Sequence, residues 1–335
     1  MSLRRVRSGR YALIAGVVQM RTIALEEHYA TTRFLNGPGG WLQNRPGIAE
    51  PLCDLGEARI AAMDDAGIDV SVLSLAAPAV EQMDGPAACL LARDCNDELA
   101  DAISRYPDRL AGFAALPISA PEAAAEELER TVRQHGFVGA VINGHCQGVY
   151  LDDPTFEPIL DRAAALNVPI YLHPTIPPPA VIESCYAGFS DRVTFTLATV
   201  GWGWHINTGT HVLRLILGGV FDRHPSLQFV IGHMSEAISF MLPRFDDTLR
   251  PDLTGLKHPV STYLRQNLNY TFANFNDEAT YANLVAQVGI ARVMFSADYP
   301  FGDMCAARDF FDNLPLSQDD RTSISYRNAE RLLKL

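Results

Sequence analysis

The sequence lacks the signatures of several common protein classes. Its six cysteines include no CxxC pair and are scattered along 335 residues, so they do not indicate a disulfide framework. No GxGxxG or GxxxxGK(S/T) loop follows an apolar run, which leaves a dinucleotide-binding or P-loop fold without support. No stretch approaches the roughly 18–20 apolar residues that a membrane-spanning helix needs. We expect a cytoplasmic protein with reduced cysteines.

Positive charge is also scarce. The chain has 27 Lys and Arg residues against 39 Asp and Glu residues, which gives a formal net charge of −12. A strongly acidic protein binds polyanions poorly, so nucleic acids and anionic membrane surfaces are not expected as partners. A small anionic substrate stays compatible, because one local Arg or a metal ion can outweigh the overall field.

The N-terminal residues differ from the rest of the chain. Residues 1–19 begin with basic residues and a short apolar run, ALIAGVV, as a weak signal peptide would, but no small-residue cleavage site follows. Met20, directly before RTIALEEH, looks like a more natural start. We expect residues 1–19 to be an extension outside the fold and residues 20–335 to form one domain.

Short apolar runs alternate with helical patterns along that domain. Eight runs are predicted strands: residues 22–28, 69–76, 109–116, 137–144, 168–174, 227–234, 268–274 and 292–300. Predicted helices lie at residues 57–67, 124–136, 156–167, 209–225, 279–289 and 326–335, and the first two end on glycine. Eight alternations predict an α/β fold, a (β/α)8 TIM barrel. An open doubly wound sheet is the alternative.

Two connections are unusually long. Residues 29–56 are rich in Gly and Pro, and residues 174–207 carry PPP, two tryptophans and His205. Loops of this length are usually functional, and both would lie at the C-terminal face of the barrel, where active sites of this fold are found.

Ionisable residues follow several of the predicted strands. Those at strand ends are Glu26 and His28 in the first strand, His173 in the fifth, His233 in the sixth and Asp298 in the eighth. Side chains alternate along a strand, so Glu26 and His28 share a face and Glu27 points away. A single histidine at a strand end is usually structural. Four strand ends with such residues together predict a metal site.

The predicted ligands suit a catalytic metal. Glu26, His28, His173 and Asp298 would supply two oxygens and two nitrogens, which Zn²⁺ and Mn²⁺ both accept. The set contains no thiolate, which argues against a purely structural zinc site. Next to it, Glu236 could orient His233 by accepting its second ring proton, or it could merely complement a helix dipole. Ser235 is a predicted N-cap for that helix.

These motifs resemble the amidohydrolase superfamily. The ExH pair, YLHP, GHMSE and SADYPF are similar to its metal-dependent decarboxylase branch, which includes γ-resorcylate, 5-carboxyvanillate and aminocarboxymuconate-semialdehyde decarboxylases. The resemblance covers residues 20–335. It implies that Glu26, His28, His173 and Asp298 hold the metal, that Asp298 also donates a proton, and that His233 and Glu236 form a catalytic dyad. Arg244, Asn143, Trp204 and Phe301 are implied to bind substrate.

The resemblance implies a reaction as well. We expect one Zn²⁺ or Mn²⁺ ion and the non-oxidative decarboxylation of a small hydroxyaromatic or related unsaturated carboxylic acid. The alternative keeps the site but uses metal-bound water, in a hydrolase or hydratase acting on a lactone, amide or unsaturated acid. Family members form homodimers or homotetramers, which we expect here. His145 stands where the resorcylate enzymes have an aromatic residue, which predicts a changed pocket polarity and argues against γ-resorcylate itself as the substrate.

Overall fold

The computed structural model describes residues 20–335, so the predicted N-terminal extension at residues 1–19 lies outside the described residues. Eight parallel strands form one sheet in chain order: β1 (Ile23–Tyr29), β2 (Val70–Leu75), β3 (Leu110–Ala115), β4 (Gly139–Asn143), β5 (Ile170–His173), β6 (Phe229–Ile231), β7 (Leu268–Thr271) and β8 (Val293–Met294). Each strand is buried over its whole length, which explains its apolar sequence.

The last strand meets the first. The backbone N–H of Leu25 in β1 donates to the carbonyl oxygen of Phe295, directly after β8, at 3.1 Å. The N–H of His28 donates to the carbonyl oxygen of Tyr299 at 2.7 Å. These bonds join the two ends of the sheet. The predicted (β/α)8 barrel is therefore confirmed, and the open sheet is excluded.

Two apolar clusters hold the barrel together. The smaller one fills its interior with side chains that include Ile23, Leu25, Val72, Phe113, Val141, Tyr171, Val230 and Met294. The larger one packs the outer face of the sheet against the surrounding helices. Interior packing of this kind makes the barrel a solid core, so its chemistry is confined to the ends.

Helices cover the outer face of the sheet. The longer ones are Glu57–Ala66, Gly85–Arg105, Pro121–His135, Glu157–Leu166, Asp191–Ala198, Gly203–Leu217, Ile238–Thr248, Val260–Gln266, Glu278–Val288 and Met304–Asn313. Short helical segments are Thr32–Leu35, Gly40–Gln43, Ala49–Cys53, Pro154–Phe156, Pro179–Val181, Ile182–Tyr186, Val220–Arg223, His233–Glu236, Pro251–Thr254, Ile290–Arg292, Gln318–Thr322, Ser323–Arg327 and Asn328–Leu333. Gly67 and Gly136 end two helices in the left-handed conformation, as predicted.

Several predicted segments differ from the structure; the eighth strand, for example, was expected over residues 292–300 and comprises only Val293–Met294. The helix expected over residues 209–225 begins earlier, at Gly203, and ends at Leu217, because Gly219 adopts a φ of 70° and starts a separate turn. The connection at residues 174–207, expected as a loop, is largely helical. Among residues 20–335, no helix is both long and apolar enough to span a membrane, and no disulfide is formed.

Candidate metal centre and active-site cavity

The first strand contains a β-bulge at Glu26. Its pairing with β2 shifts register immediately before Glu27, and Glu26 adopts a φ of 66°. Leu25 faces the barrel interior, so strict alternation would have turned Glu27 inward as well. The bulge reverses the alternation. Glu26 and His28 thereby share the inner face at the C-terminal mouth of the barrel.

Glu26 and His28 meet two more predicted ligands there. His173, the last residue of β5, places Nε2 3.6 Å from Glu26 Oε1. Asp298 follows β8 and places Oδ1 3.2 Å from His28 Nε2. All four side chains are buried. The structure thus brings the four residues together from the first, fifth and eighth strands.

The donor atoms of this cluster fit a divalent cation. Glu26 Oε1 and His28 Nε2 are buried without a hydrogen-bond partner among residues 20–335, although buried polar atoms normally have one. Two ligands about 2.1 Å from one tetrahedral ion lie about 3.4 Å apart. The separations of 3.2 and 3.6 Å are close to that value for two of the pairs, and the ligand atoms of Glu26, His28 and His173 all lie within 4.8 Å of one another.

The remaining polar atoms of the ligands are held by neighbouring groups. Tyr171 and Thr271 donate to Glu26 Oε2, Ser74 Oγ lies 3.1 Å from His28 Nδ1, and His173 Nδ1 lies 2.8 Å from the carbonyl oxygen of Pro174. Such outer partners fix the ring orientation of histidine ligands and the rotamer of carboxylates. They leave Glu26 Oε1, His28 Nε2 and His173 Nε2 for an ion.

Burial controls the ionisation of the cluster. It raises the pKa of Glu26 to about 8 and that of Asp298 to about 7, although the charge on His233 opposes both shifts. It lowers the pKa of His28 to about 3 and that of His173 well below its ordinary value. Both imidazoles are therefore neutral at pH 7, which is the state that binds a metal.

Glu27 supports the site from the outer face of β1. Its carboxylate accepts the backbone N–H groups of Ala297 and Tyr299 at 2.8 and 3.2 Å. Arg59, also fully buried, donates to the carbonyl oxygen of His28 at 2.8 Å. Glu27 and Arg59 thus hold the backbone beside two predicted ligands, a role that the sequence did not indicate.

The GHMSE motif folds as a left-handed turn. His233, Met234, Ser235, Glu236 and Ala237 all adopt positive φ angles, between 48° and 85°. The following helix begins at Ile238, and its N-cap is Ala237. The prediction of Ser235 as the N-cap is therefore wrong.

The left-handed turn places His233 beside Glu236. His233 Nδ1 lies 2.7 Å from Glu236 Oε1. Although burial opposes the shift, the charges on Glu236 and Glu26 raise the pKa of His233 to about 10. The opposing effect of burial on Glu236 is outweighed by His233 and His205, so its pKa falls below the ordinary value. This pair is ionic at neutral pH.

A cavity of about 230 Å³ opens above these groups. Its lining comprises Trp41, Arg45, Ile48, Ala77, His173, Val200, Trp204, His205, His233, Ala273, Asn274, Phe275, Asp298 and Phe301. Two of the four residues predicted to bind substrate, Trp204 and Phe301, are among them. The indole N–H of Trp204 is buried without a hydrogen-bond partner in the described chain. It is therefore available to an acceptor on a ligand.

The other two residues predicted to bind substrate do not line this cavity. Asn143 is buried at the end of β4 and donates its backbone N–H and side-chain amide to Glu81. Arg244 is exposed on the helix Ile238–Thr248. His145 is likewise absent from the lining, and its Nε2 lies 3.1 Å from the carbonyl oxygen of Ile176. The expected change of pocket polarity at His145 is therefore not found in this cavity.

Several groups in the cavity were not predicted from the sequence. His205 Nδ1 lies 2.6 Å from Glu236 Oε2, although the only signal for His205 was its proximity to Trp204. Arg45 and Trp41 come from the long segment after β1, and the Arg45 guanidinium lies 5.4 Å from the Trp41 ring centroid. Phe275 follows β7 and packs edge-on against His233 at 5.7 Å. The only sequence feature that indicated this cavity was the length of the connections at residues 29–56 and 174–207.

Comparisons with known proteins agree with the motif resemblance. The family model described as amidohydrolase (Amidohydro_2) matches residues 28–335. The γ-resorcylate decarboxylase of Polaromonas sp. (strain JS666) is 36% identical over 326 residues, which cover 93% of this chain and 98% of that protein. The decarboxylase orsB of Emericella nidulans is 37% identical over 329 residues, covering 93% and 97%.

A solved structure extends the similarity to three dimensions. It is that of 5-carboxyvanillate decarboxylase from Novosphingobium aromaticivorans, complexed with manganese and 4-hydroxy-3-methoxy-5-nitrobenzoic acid. The TM-score is 0.88 and the sequence identity 32%, covering 96% of this chain and 100% of that one. The predicted similarity to the decarboxylase branch is confirmed.

Proposed function

This chain belongs to the amidohydrolase family, and we propose that it catalyses the metal-dependent, non-oxidative decarboxylation of a small hydroxyaromatic carboxylic acid. One observation carries the proposal. The unpartnered Glu26 Oε1 and His28 Nε2 converge with His173 and Asp298 at an aromatic-lined cavity. The relatives named decarboxylases support the same reaction.

Four residues would hold the metal. Glu26, His28, His173 and Asp298 offer two carboxylates and two neutral imidazoles, and we favour Mn²⁺ over Zn²⁺ because the relative's structure contains manganese. When bound, such an ion supplies a Lewis acid and a template for substrate oxygens.

Asp298 is the proposed proton donor. Its carboxyl group is buried and lines the cavity. The proton is delivered to the ring carbon that carries the carboxylate. The carbon–carbon bond then breaks, CO2 leaves, and the electron pair of that bond restores the aromatic ring. No water nucleophile is consumed, which separates this reaction from hydrolysis or hydration.

His233 is the proposed stabiliser of developing charge. Its Nδ1–H is bound to Glu236, so Nε2–H is left for an oxygen of the substrate. A charged donor placed before the reaction stabilises negative charge in the transition state, commonly by about 3–4 kcal/mol. Trp204 adds its N–H, and Phe301 adds an apolar wall.

Arg244 is proposed to act between subunits of a homodimer or homotetramer. It is exposed and does not line the cavity of its own chain, so it reaches a substrate only in a neighbouring copy. Phe240 and Met241, on the same helix, are 76% and 40% exposed, which suits an interface. A cytoplasmic location accords with the lack of disulfides in the described chain.

The decisive experiment measures CO2 release. The protein is loaded with Mn²⁺ or Zn²⁺ and incubated with hydroxybenzoates, carboxyvanillate and muconate-type acids. We expect CO2 from at least one of them, and a loss of at least about 100-fold in Asp298→Asn. Absence of CO2 across the panel in metal-loaded protein would overturn the decarboxylase proposal. Turnover of a lactone or an unsaturated acid would then establish the hydrolase or hydratase alternative.

A further inference from the structure

Glu236 is shared by two histidines, of which only His233 was expected. His205 Nδ1 lies 2.6 Å from Glu236 Oε2, and His233 Nδ1 lies 2.7 Å from Glu236 Oε1. The two imidazole centroids are 4.9 Å apart. Each carboxylate oxygen of Glu236 therefore faces one imidazole.

The short distances between Glu236 and the two histidines indicate hydrogen bonds and not the ligands of a second metal ion. Nitrogen and oxygen ligands about 2.1 Å from one tetrahedral ion lie about 3.4 Å apart. Here the separations are 2.6 and 2.7 Å, close to those of hydrogen bonds between charged groups. Both histidines thus donate Nδ1–H to Glu236.

The second nitrogen of His205 also faces an acceptor. His205 Nε2 lies 3.1 Å from the carbonyl oxygen of Val200. A carbonyl oxygen cannot donate a hydrogen bond, and neither can the ionised carboxylate of Glu236. A neutral imidazole has one N–H and would leave one of these contacts without a proton. The contact with Glu236 is the shorter of the two, which favours a proton on Nδ1.

Polar and aromatic groups surround His205. Glu236 and His233 face it from the left-handed turn, Phe275 packs edge-on at 5.2 Å, and Asp298 lines the same cavity. The Glu236 carboxylate lies between the two histidines and contacts both. Val200 and His205 both line the cavity, so the bond between them fixes part of its wall.

We propose that His205 is a positioning residue whose Nδ1–H fixes the Glu236 carboxylate and so orients His233 towards the substrate. The kinetic part of this inference rests on the proposed decarboxylase function. His205 affects the reaction through its bond to Glu236, whereas its contact with Val200 fixes part of the cavity wall.

Three substitutions separate these two contacts. In His205→Asn the amide nitrogen takes the place of Nδ1 and retains a donor to Glu236. In His205→Gln the amide nitrogen takes the place of Nε2 and retains the donor to Val200. His205→Phe removes both. His258→Gln, in the loop before Val260–Gln266, is the matched control because His258 does not line the cavity.

The expected kinetics follow from the bond to Glu236. His205→Phe and His205→Gln should lower kcat about tenfold with KM changed less than about threefold, while His205→Asn should keep kcat within about threefold. Circular dichroism and metal content verify that each variant is folded and loaded. Loss in His205→Asn with full activity in His205→Gln would overturn the proposal in favour of a loop anchor. Wild-type kinetics in all three would overturn it as well.

A spectroscopic measurement keeps the inference independent of the substrate. The Zn²⁺-loaded protein is labelled with ¹⁵N-histidine, and the His205 signals are assigned as those missing in His205→Phe. We expect Nδ1 of His205 to carry a proton, as its bond to Glu236 requires. Signals of an unprotonated Nδ1 would overturn the inference even in an active decarboxylase. A protonated Nδ1 in a protein without decarboxylase activity would instead discard only the proposed function.

Discussion

The carboxylate of Glu27 accepts a hydrogen bond from the backbone N–H of Ala297 at 2.8 Å. Its second bond, from Tyr299, encloses Asp298 between two fixed backbone groups. Asp298 itself adopts a φ of 61°, which non-glycine residues rarely do. The first strand therefore presents the predicted ligands Glu26 and His28 on its inner face. From its outer face it holds the backbone around Asp298, another predicted ligand.

Glu27→Gln should weaken both the fold and the metal site. The amide group presents its NH2 to one of the two backbone N–H groups and leaves that donor unpaired. We expect the free energy of unfolding to fall by about 1–3 kcal/mol and Mn²⁺ affinity to fall about 10- to 100-fold. Urea denaturation and Mn²⁺ titration measure the two effects. Glu98→Gln, at an exposed position, should change neither, and unaltered affinity in Glu27→Gln would contradict the supporting role.

Removal of the metal should lower the melting temperature. An ion bound only by the folded state adds about 2.7 kcal/mol when its free concentration is 100 times Kd. Dialysis against a chelator should therefore lower Tm, and Mn²⁺ should restore it in a concentration-dependent manner. In Glu26→Gln/His28→Asn, Tm should no longer respond to Mn²⁺, because two ligands are lost. Calorimetry with and without Mn²⁺ provides the measurement, and an equal response in the double variant would place the ion elsewhere.

Mixed oligomers test whether Arg244 acts in a neighbouring copy. Arg244→Ala and Asp298→Asn should each be nearly inactive alone, by about 100-fold or more. When the two variants are mixed under subunit exchange, some sites receive an intact Asp298 from one chain and an intact Arg244 from its partner. We expect such mixtures to recover up to about a quarter of wild-type activity, as random pairing in a dimer allows. Mixtures no more active than their parents would rule out this arrangement.

The stability of the protein should depend on pH through His211. This residue is fully buried, and its Nε2 accepts the backbone N–H of Leu151 at 2.9 Å. Burial, with smaller effects of His145 and Arg214, lowers its pKa from 6.5 to about 3. The unfolded chain takes up a proton near pH 6.5, whereas folded His211 does so only near pH 3. The stabilisation by neutral His211 is therefore complete above pH 6.5 and is lost as the pH falls.

His211→Gln isolates this effect, because the Gln side-chain oxygen can replace Nε2 as the acceptor and does not titrate. Between pH 7.5 and pH 5 the wild type should lose about 2 kcal/mol more of its free energy of unfolding than the variant does. Urea denaturation at both pH values measures the difference. Equal losses in the two proteins would show that His211 is accessible to protons in the folded state.

Much of the barrel could be predicted from the sequence, because strands that are buried on both faces consist of continuous apolar runs. The cluster of Glu26, His173 and Asp298 followed from the same logic, since all parallel strands present their C-terminal ends at one face. The bulge at Glu26 could not be predicted. The alternation of side chains from Leu25 onward predicts that Glu27 faces the barrel interior. Only the register shift in the folded sheet turns Glu26 and His28 inward instead.

The backbone of the pair His233 and Glu236 is a second feature that could not be predicted from the sequence. Its spacing of three residues resembled the start of a helix, with Ser235 as a cap. The backbone instead turns with the opposite hand from His233 to Ala237. His205 was missed for a related reason. It lies 31 residues before Glu236 along the chain, and only the folding of residues 174–207 brings the two together.

The left-handed turn has a consequence for how this enzyme can evolve. L-amino acids resist that hand by roughly 1–2 kcal/mol per residue, and the turn contains five of them in succession. Glycine at position 234, 235 or 237 would relieve the cost but would also free the turn to relax. Non-glycine residues at these three positions restrict the backbone of the turn and so keep His233 and Glu236 in a fixed relative orientation. The strained backbone of this turn thus fixes the relative positions of His233 and Glu236. A descendant stabilised by relaxing the turn would lose part of that alignment.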